Sequence, residues 1–236
     1  MSAAALLEVR ALAKRFGGFT ALEGIELRVA PGERVGLIGP NGSGKSTLVN
    51  CICGALRNEA GAVLFAGEDV TRLAAHQRTR RGMARSFQVP RPFASMSVRE
   101  NLVVPLEYTG KGKGEEAMAI LKDIGLAGKA DLPSGGLTQV EMRKLELARA
   151  MAAKPRLLIS DEAMAGLAPA EVDEVLPILF KLNEAGITII MIEHIMEAVM
   201  RFSQRVVCLD AGKIICEGAP AEIVKNPDVQ RAYLGA

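Results

Sequence analysis

Across residues 7–29 apolar and polar positions tend to alternate. Leu7, Val9 and Ala11 form one apolar set. Ile25, Leu27 and Val29 form another, with Glu26 and Arg28 between them. A period of two turns one face of each segment toward a core and predicts half-buried strands of an antiparallel sheet. Residues 62–65 join that sheet on the same reading. Later runs differ in kind. Residues 35–38, 157–159, 187–192 and 206–209 are short, continuous and apolar, the pattern of central parallel strands covered on both faces. Helical spacing lies between them. In residues 170–186, Val172, Val175, Leu176, Leu179 and Phe180 fall on one stripe, and Gly186 is the stop. Pro177 sits inside that stripe and predicts a kinked or shortened helix.

The alternation of strand and helix breaks between about residues 88 and 137. Gly110, Gly112 and Gly114 are interleaved with Lys111 and Lys113, and a helix-like stretch comes next at 115–124. Ser97 with Glu100 fits a capping box that opens a helix. The fold class that results is α/β: a mainly parallel core, an antiparallel β flank and a helical insertion. At 236 residues the chain suits a single domain, 1–236, with a mainly helical subdomain at about 89–155.

Composition narrows the function. Apolar residues are 49% and charged residues 24%, which excludes a disordered chain. The net charge of +2 gives no electrostatic case for nucleic acid or an anionic membrane surface. The basic cluster Arg78, Arg80, Arg81 and Arg85 reads as a solvated helix face. Cys51 and Cys53 lack a second ligand pair, so reduced thiols rather than a zinc site are expected. No run approaches the roughly 18 apolar residues of a membrane span. The first ten residues lack a signal-peptide pattern, so a cytoplasmic location is expected.

The strongest chemical signal is Gly39-Pro40-Asn41-Gly42-Ser43-Gly44-Lys45-Ser46, with Thr47 next. It meets the phosphate-loop spacing in full, between a strand and a helix-like stretch. Glycines let backbone N–H groups turn inward onto phosphate oxygens. Lys45 neutralises the β- and γ-phosphates of ATP, and the Ser46 hydroxyl suits Mg²⁺. The second signal is residues 157–162, an apolar strand ending in Asp161-Glu162. Asp161 suits Mg²⁺ beside phosphates, and Glu162 is placed to polarise an attacking water. Alone that pair is weak; with the phosphate loop it becomes specific. Gln88 suits the metal ion or the attacking water. His194, just past the run 187–192, suits the γ-phosphate. Phe16 is a candidate to stack on adenine, with Phe19 as its competitor.

In this order the motifs resemble the ABC transporter ATPases, over essentially the whole chain. The phosphate loop, Gln88, Asp161-Glu162 and His194 stand where that family has its Walker A, Q-loop, Walker B with catalytic glutamate, and H-loop. Segments 85–88, 165–167, 192–194 and 226–235 are most similar to ATPase subunits of branched-chain amino-acid importers. The resemblance implies an ABC ATPase fold on a P-loop NTPase core, and ATP and Mg²⁺ as cofactors. It also implies a second ATPase subunit, transmembrane permease subunits and, indirectly, a substrate-binding protein, with no nucleic acid. The place implied is the inner face of the cell membrane, reached through the permease. The isolated chain can be a homodimer, and a heterodimer is expected in the transporter.

Two segments compete for the family's signature, the Leu-Ser-Gly-Gly-Gln that completes the opposite ATP site. Ser134-Gly135-Gly136 looks like it. Counting back from Ala148-Arg149-Ala150 instead places residues 137–141 in register, and Thr138 with Glu141 makes a capping box there. Thr138 is then the nucleotide-facing hydroxyl, with Gln139 and Val140 where the family has glycines. Ala168 departs from the usual Asp or Asn, and Ala163 from the frequent Pro. The alternative function is an ATP-binding regulatory subunit with little hydrolysis. A soluble ABC protein of DNA repair or translation is disfavoured, since the chain has neither coiled coils nor a second cassette.

Overall fold

The computed structural model describes residues 4–87, 90–110, 112 and 114–234. Its strands are β1 (Leu7–Phe16), β2 (Phe19–Val29), β3 (Arg34–Ile38), β4 (Ala60–Phe65), β5 (Glu68–Asp69), β6 (Met83–Arg85), β7 (Leu157–Asp161), β8 (Thr188–Ile192), β9 (Arg205–Asp210) and β10 (Lys213–Gly218). They make two sheets. One is four-stranded in the order β2-β1-β4-β5, with antiparallel pairs throughout. The other runs β10-β9-β3-β8-β7-β6, parallel from β9 to β6 and closed by antiparallel β10. The alternating segments at the start of the chain thus form the antiparallel flank. The continuous apolar runs form the parallel centre, where β7 and β8 are buried at every position.

The helices are α1 (Lys45–Cys53), α2 (Ala75–Arg80), α3 (Glu100–Thr109), α4 (Gly114–Asp123), α5 (Gln139–Ala152), α6 (Pro169–Glu184), α7 (Met196–Phe202), α8 (Pro220–Ile223) and α9 (Pro227–Leu234). One apolar cluster lies between the sheets and against α1, from Leu7, Leu12 and Ile25 to Val35, Leu48 and Ile190. A second runs from α3, α4 and α5 into α6, α7 and the other face of the parallel sheet. The helices inserted between β6 and β7 therefore share a core with the sheet.

Capping chemistry sets the ends. The Glu100 N–H donates to Ser97 Oγ at 3.2 Å, while Glu100 Oε2 accepts the Ser97 N–H at 2.7 Å. That reciprocal pair is the box read from the sequence. α6 runs from Pro169 to Glu184 through Pro177, so the helix is not shortened there. A proline in a helix interior costs roughly 3 kcal/mol. Burial of Val172, Val175, Leu176 and Leu179 offsets it, at about 1.5–3 kcal/mol for each fully buried side chain.

The arginine cluster is a solvated face only in part: Arg80 and Arg81 are exposed, Arg78 and Arg85 are not. Arg78 is 2% exposed. Its guanidinium donates to the carbonyls of Cys51, Ile52, Thr71 and Leu73 at 2.6–3.0 Å. At the end of α1 the Gly54 N–H reaches the Cys51 carbonyl at 3.2 Å, and Arg78 adds donors to Cys51 and Ile52. Arg85 is also drawn inward, to Asp161. The run of charge hid this because each arginine carries five donors that buried carbonyls can take up. Replacing Arg78 with methionine keeps much of the volume and strands those carbonyls. Stability by urea unfolding should fall by about 2–4 kcal/mol with an unchanged m-value; a loss below about 0.5 kcal/mol would mean that Arg78 is dispensable to α1.

Candidate nucleotide site

Parallel strands end together, so the segments beyond their carboxyl ends gather at one edge of the sheet. β3 leads into the phosphate loop and α1. Its neighbour β8 leads into Glu193 and His194. The next strand, β7, ends in Asp161, opposite Ile192 of β8, and Glu162 comes directly after it. β6, paired to β7, ends at Arg85. The site is thus a product of strand order.

The loop itself is tightly built. Gly39 has φ +149°, and a Cβ there would lie 2.0 Å from the Leu209 carbonyl oxygen. Gly44, at φ +107°, precedes α1 and leaves no room for a side chain against the Ala21 carbonyl. Lys45 is 7% exposed. Its Nζ donates to the Gly39 and Pro40 carbonyls at 2.7 and 2.9 Å and lies 3.5 Å from Ser43 Oγ. Burial pushes its pKa down, and the carboxylates of Glu162 and Asp161 pull it back up. The cation sits folded against its own loop, where an incoming phosphate can exchange with the two carbonyls.

A pocket of about 320 Å³ opens over this loop, lined by residues 41–47, Phe16, Phe19, Ala21, Glu162 and His194. The fold thus gathers the loop, the carboxylate, the histidine and both candidate aromatics. Phe16 and Phe19 both line the pocket and both are exposed, so the two remain in competition. Lys14 Nζ lies over the Phe16 ring at 5.0 Å. His194 Nε2 lies 2.7 Å from Glu162 Oε1. Glu162 has φ +49°, a left-handed conformation that costs a non-glycine residue about 1–3 kcal/mol. Its N–H to the Ile192 carbonyl at 2.8 Å holds that turn.

Asp161 is not among the residues that line the pocket. Its Oδ2 accepts from Arg85 Nη2 at 2.5 Å, and Arg85 Nη1 reaches Asn50 Oδ1 of α1 at 2.6 Å. One guanidinium therefore joins the end of β7 to the phosphate-loop helix. Ser46 Oγ and the Asp161 carboxylate are oxygen donors, the type that Mg²⁺ takes. Gln88 lies outside the described residues.

Thr138 is at the start of α5, away from this pocket. It accepts the Glu141 N–H at 3.4 Å and donates its own N–H to Glu141 Oε2 at 3.0 Å. Ser134 is buried in a short 3₁₀ turn, where its hydroxyl donates to the Phe93 carbonyl and accepts from Asn101 Nδ2. Of the two competing segments, only the one at Thr138 opens a helix. Its first turn grips the stretch after Glu162. Gln139 Nε2 donates to the Gly166 carbonyl at 3.2 Å, and Arg143 Nη2 to the Ala165 carbonyl at 2.8 Å.

Sequence reading passed over Glu193. It is 2% exposed, and its Oε1 accepts the Met164 N–H at 2.8 Å. The signal was a carboxylate directly after a wholly apolar strand. Burial pushes its pKa from 4.5 to about 7, opposed by the Met164 N–H and reinforced by the Glu162 carboxylate.

The sequence profile of the family described as "ABC transporter" matches residues 22–165, and that of "Branched-chain amino acid ATP-binding cassette transporter" matches residues 213–236. The chain belongs to the ABC transporter ATP-binding family, and it is an ATPase of that family. It is 36% identical to the high-affinity branched-chain amino acid transport ATP-binding protein BraF of Pseudomonas aeruginosa, over 98% of each chain. Identity to the corresponding LivG of Escherichia coli is 37%, again over 98% of each. A nucleotide-free ATP-binding cassette of an ABC transporter superposes with a TM-score of 0.90 at 31% identity, covering 99% of this chain and 100% of that one. The ADP conformation of a cassette gives 0.90 at 32% identity, with the same coverage.

The raised pKa of Glu193 has a definite sign. Between about pH 4.5 and 7 the folded chain keeps a proton that the unfolded chain has released. This contribution to stability is complete below pH 4.5 and is lost as pH rises through 7. Glu193→Gln keeps an acceptor for Met164 and removes the titration. The variant should exceed the wild type at pH 8 by about 1–3 kcal/mol, with the gap shrinking toward pH 5. Urea unfolding at both pH values decides it: an equal difference at both would exclude the titration.

Proposed function

We propose that this chain is one ATPase subunit of an importer for branched-chain amino acids or related small polar solutes. The observation that carries the reading is the Glu162–His194 pair, 2.7 Å apart, in the same pocket as residues 41–47. Backbone N–H groups of residues 41–47 cradle the phosphates, and Lys45 leaves the Gly39 and Pro40 carbonyls to neutralise them. Phe16 stacks on adenine. Ser46, Asp161 and Gln88 would hold Mg²⁺, which when bound would supply charge neutralisation at the phosphates. Glu162 polarises the attacking water. His194 fixes that carboxylate through Nε2 and contacts the γ-phosphate.

On this reading residues 1–236 are one cassette with a helical subdomain at about 89–155. A second ATPase subunit faces it, so that Thr138 completes the partner's site. Permease subunits dock in the groove between core and subdomain, and a substrate-binding protein acts beyond them. The protein then sits at the cytoplasmic face of the membrane. Support for the groove comes from exposed Phe87, Phe93, Val104 and Tyr108, apolar or aromatic side chains on and around that region. Among the described residues no helix is long and apolar enough to cross a membrane.

One feature favours a second reading, in which the chain holds ATP and hydrolyses little by itself. Gln139 and Val140 stand where close backbone approach needs glycine, and Gln139 is already bonded to Gly166. In a heterodimer the site on this chain's phosphate loop would then be the main hydrolytic one, and the site completed by Thr138 the slower.

Lys45→Ala should abolish productive ATP binding in a fluorescent-nucleotide titration; wild-type affinity would remove the phosphate-loop assignment. Glu162→Gln should bind ATP normally, lose multiple turnover by about a hundredfold or more, and favour a closed dimer with a competent partner. Hydrolysis by the isolated chain equal to that of the assembled pair, or equal losses from the two subunits' glutamate variants, would refute the asymmetry.

A further inference from the structure

α9 ends against the phosphate loop. The Tyr233 hydroxyl accepts the Gly39 N–H at 2.8 Å, across 194 positions of sequence. We propose that Tyr233 is a positioning residue for nucleotide binding: the C-terminal helix is a strut that holds the start of the phosphate loop in its anion-ready shape. The inference rests on the phosphate-loop reading above and extends it to a part of the chain outside the motifs.

The strut is fixed at its far end. Asn226 Oδ1 accepts the N–H groups of Asp228 and Val229 at 2.8 and 3.4 Å, which caps the start of α9. Val229 is buried in the larger apolar cluster. Tyr233 lies four positions later, on the same face of the helix. A capped, docked helix therefore aims the phenol, and little conformational freedom is left to lose when its hydrogen bond forms.

What it holds is the most constrained residue of the loop. Gly39 is wedged against the Leu209 carbonyl, where no Cβ fits. Its N–H goes to Tyr233, and its carbonyl accepts Lys45 Nζ at 2.7 Å. The tail thus grips one side of the residue on whose other side the ammonium rests. Gly39 N–H is at the outer end of the loop, so the contact leaves the N–H groups deeper in the loop for phosphate. Burial raises the phenol's pKa, partly countered by the Gly39 N–H, so the hydroxyl stays neutral and available as an acceptor near neutral pH.

Without the phenol oxygen, the start of the loop has more conformations to give up when a nucleotide binds. The test uses the full chain with Tyr233→Phe, which keeps the ring and removes the hydroxyl. Affinity for a fluorescent ATP analogue with Mg²⁺ should weaken about three- to tenfold, the range expected for one hydrogen bond. Amide exchange in the segment 39–45 should quicken. In the assembled pair KM for ATP should rise by a similar factor, with kcat within about twofold. Unchanged affinity and exchange would overturn the proposal, as would a fall in kcat with KM unaltered. Val229→Ala loosens the helix without touching the phenol, and it should reproduce the effect on affinity more weakly; a normal affinity in it would also count against a strut. Lys45→Ala run in parallel separates the two readings. If it binds as wild type the phosphate-loop reading fails, whereas normal binding by Tyr233→Phe beside a dead Lys45→Ala removes only the strut.

Discussion

The inward N–H groups of a phosphate loop are needed by the anion, so the fold must hold that loop without consuming them. Here the grip is taken largely on carbonyls. Lys45 bonds those of Gly39 and Pro40. The Gly212 N–H, in the turn between β9 and β10, bonds the Ser43 carbonyl at 2.9 Å, and the Gly212 carbonyl receives the Glu23 N–H of β2 at 2.9 Å. That turn joins the two sheets beside the loop. Arg78 bonds the carbonyls at the other end of α1. The helix that carries Ser46 and Thr47 is thus clamped at both ends while its amino terminus stays directed at the pocket.

The same economy shapes the neighbouring strands. β7 and β8 are buried throughout, and polar chemistry begins only where each strand stops. Glu162 turns there through a conformation unfavourable for its Cβ, and the Ile192 carbonyl holds it. Asp161 is not left as a bare buried carboxylate, because Arg85 pairs with it. Burying an unpaired charge costs several kcal/mol, so a cation at the end of β6 is part of what lets an acid sit at the end of β7.

Much of this was legible in the sequence. Period two against continuous apolar runs separated the antiparallel flank from the parallel centre. That residues 41–47, Glu162 and His194 would meet at one edge of the sheet was legible, because the motifs stand directly after strands that pair in parallel. The capping box of Thr138 and Glu141 was legible because it is a local device, and its two hydrogen bonds are present. The misreadings have one cause. Arg78 and Arg85 looked like solvated charge, and Pro177 looked able to shorten its helix, because their fates depend on what tertiary packing brings near. Glu193 and Tyr233 were opaque for the same reason: their partners, Met164 and Gly39, lie 29 and 194 positions away.

The bonds from Gln139 and Arg143 fasten the start of α5 to the turn after Glu162. At 1.5 Å per residue its 14 residues span about 21 Å. A tilt of about 5° at one end then moves the other by about 2 Å, a length comparable to the difference between a hydrogen bond kept and one lost. The fastening runs directly from side chain to backbone, with no intervening loop. A displacement of the helical insertion that kept both bonds would carry the turn after Glu162 with it, and a change in that turn would leave by the same shaft.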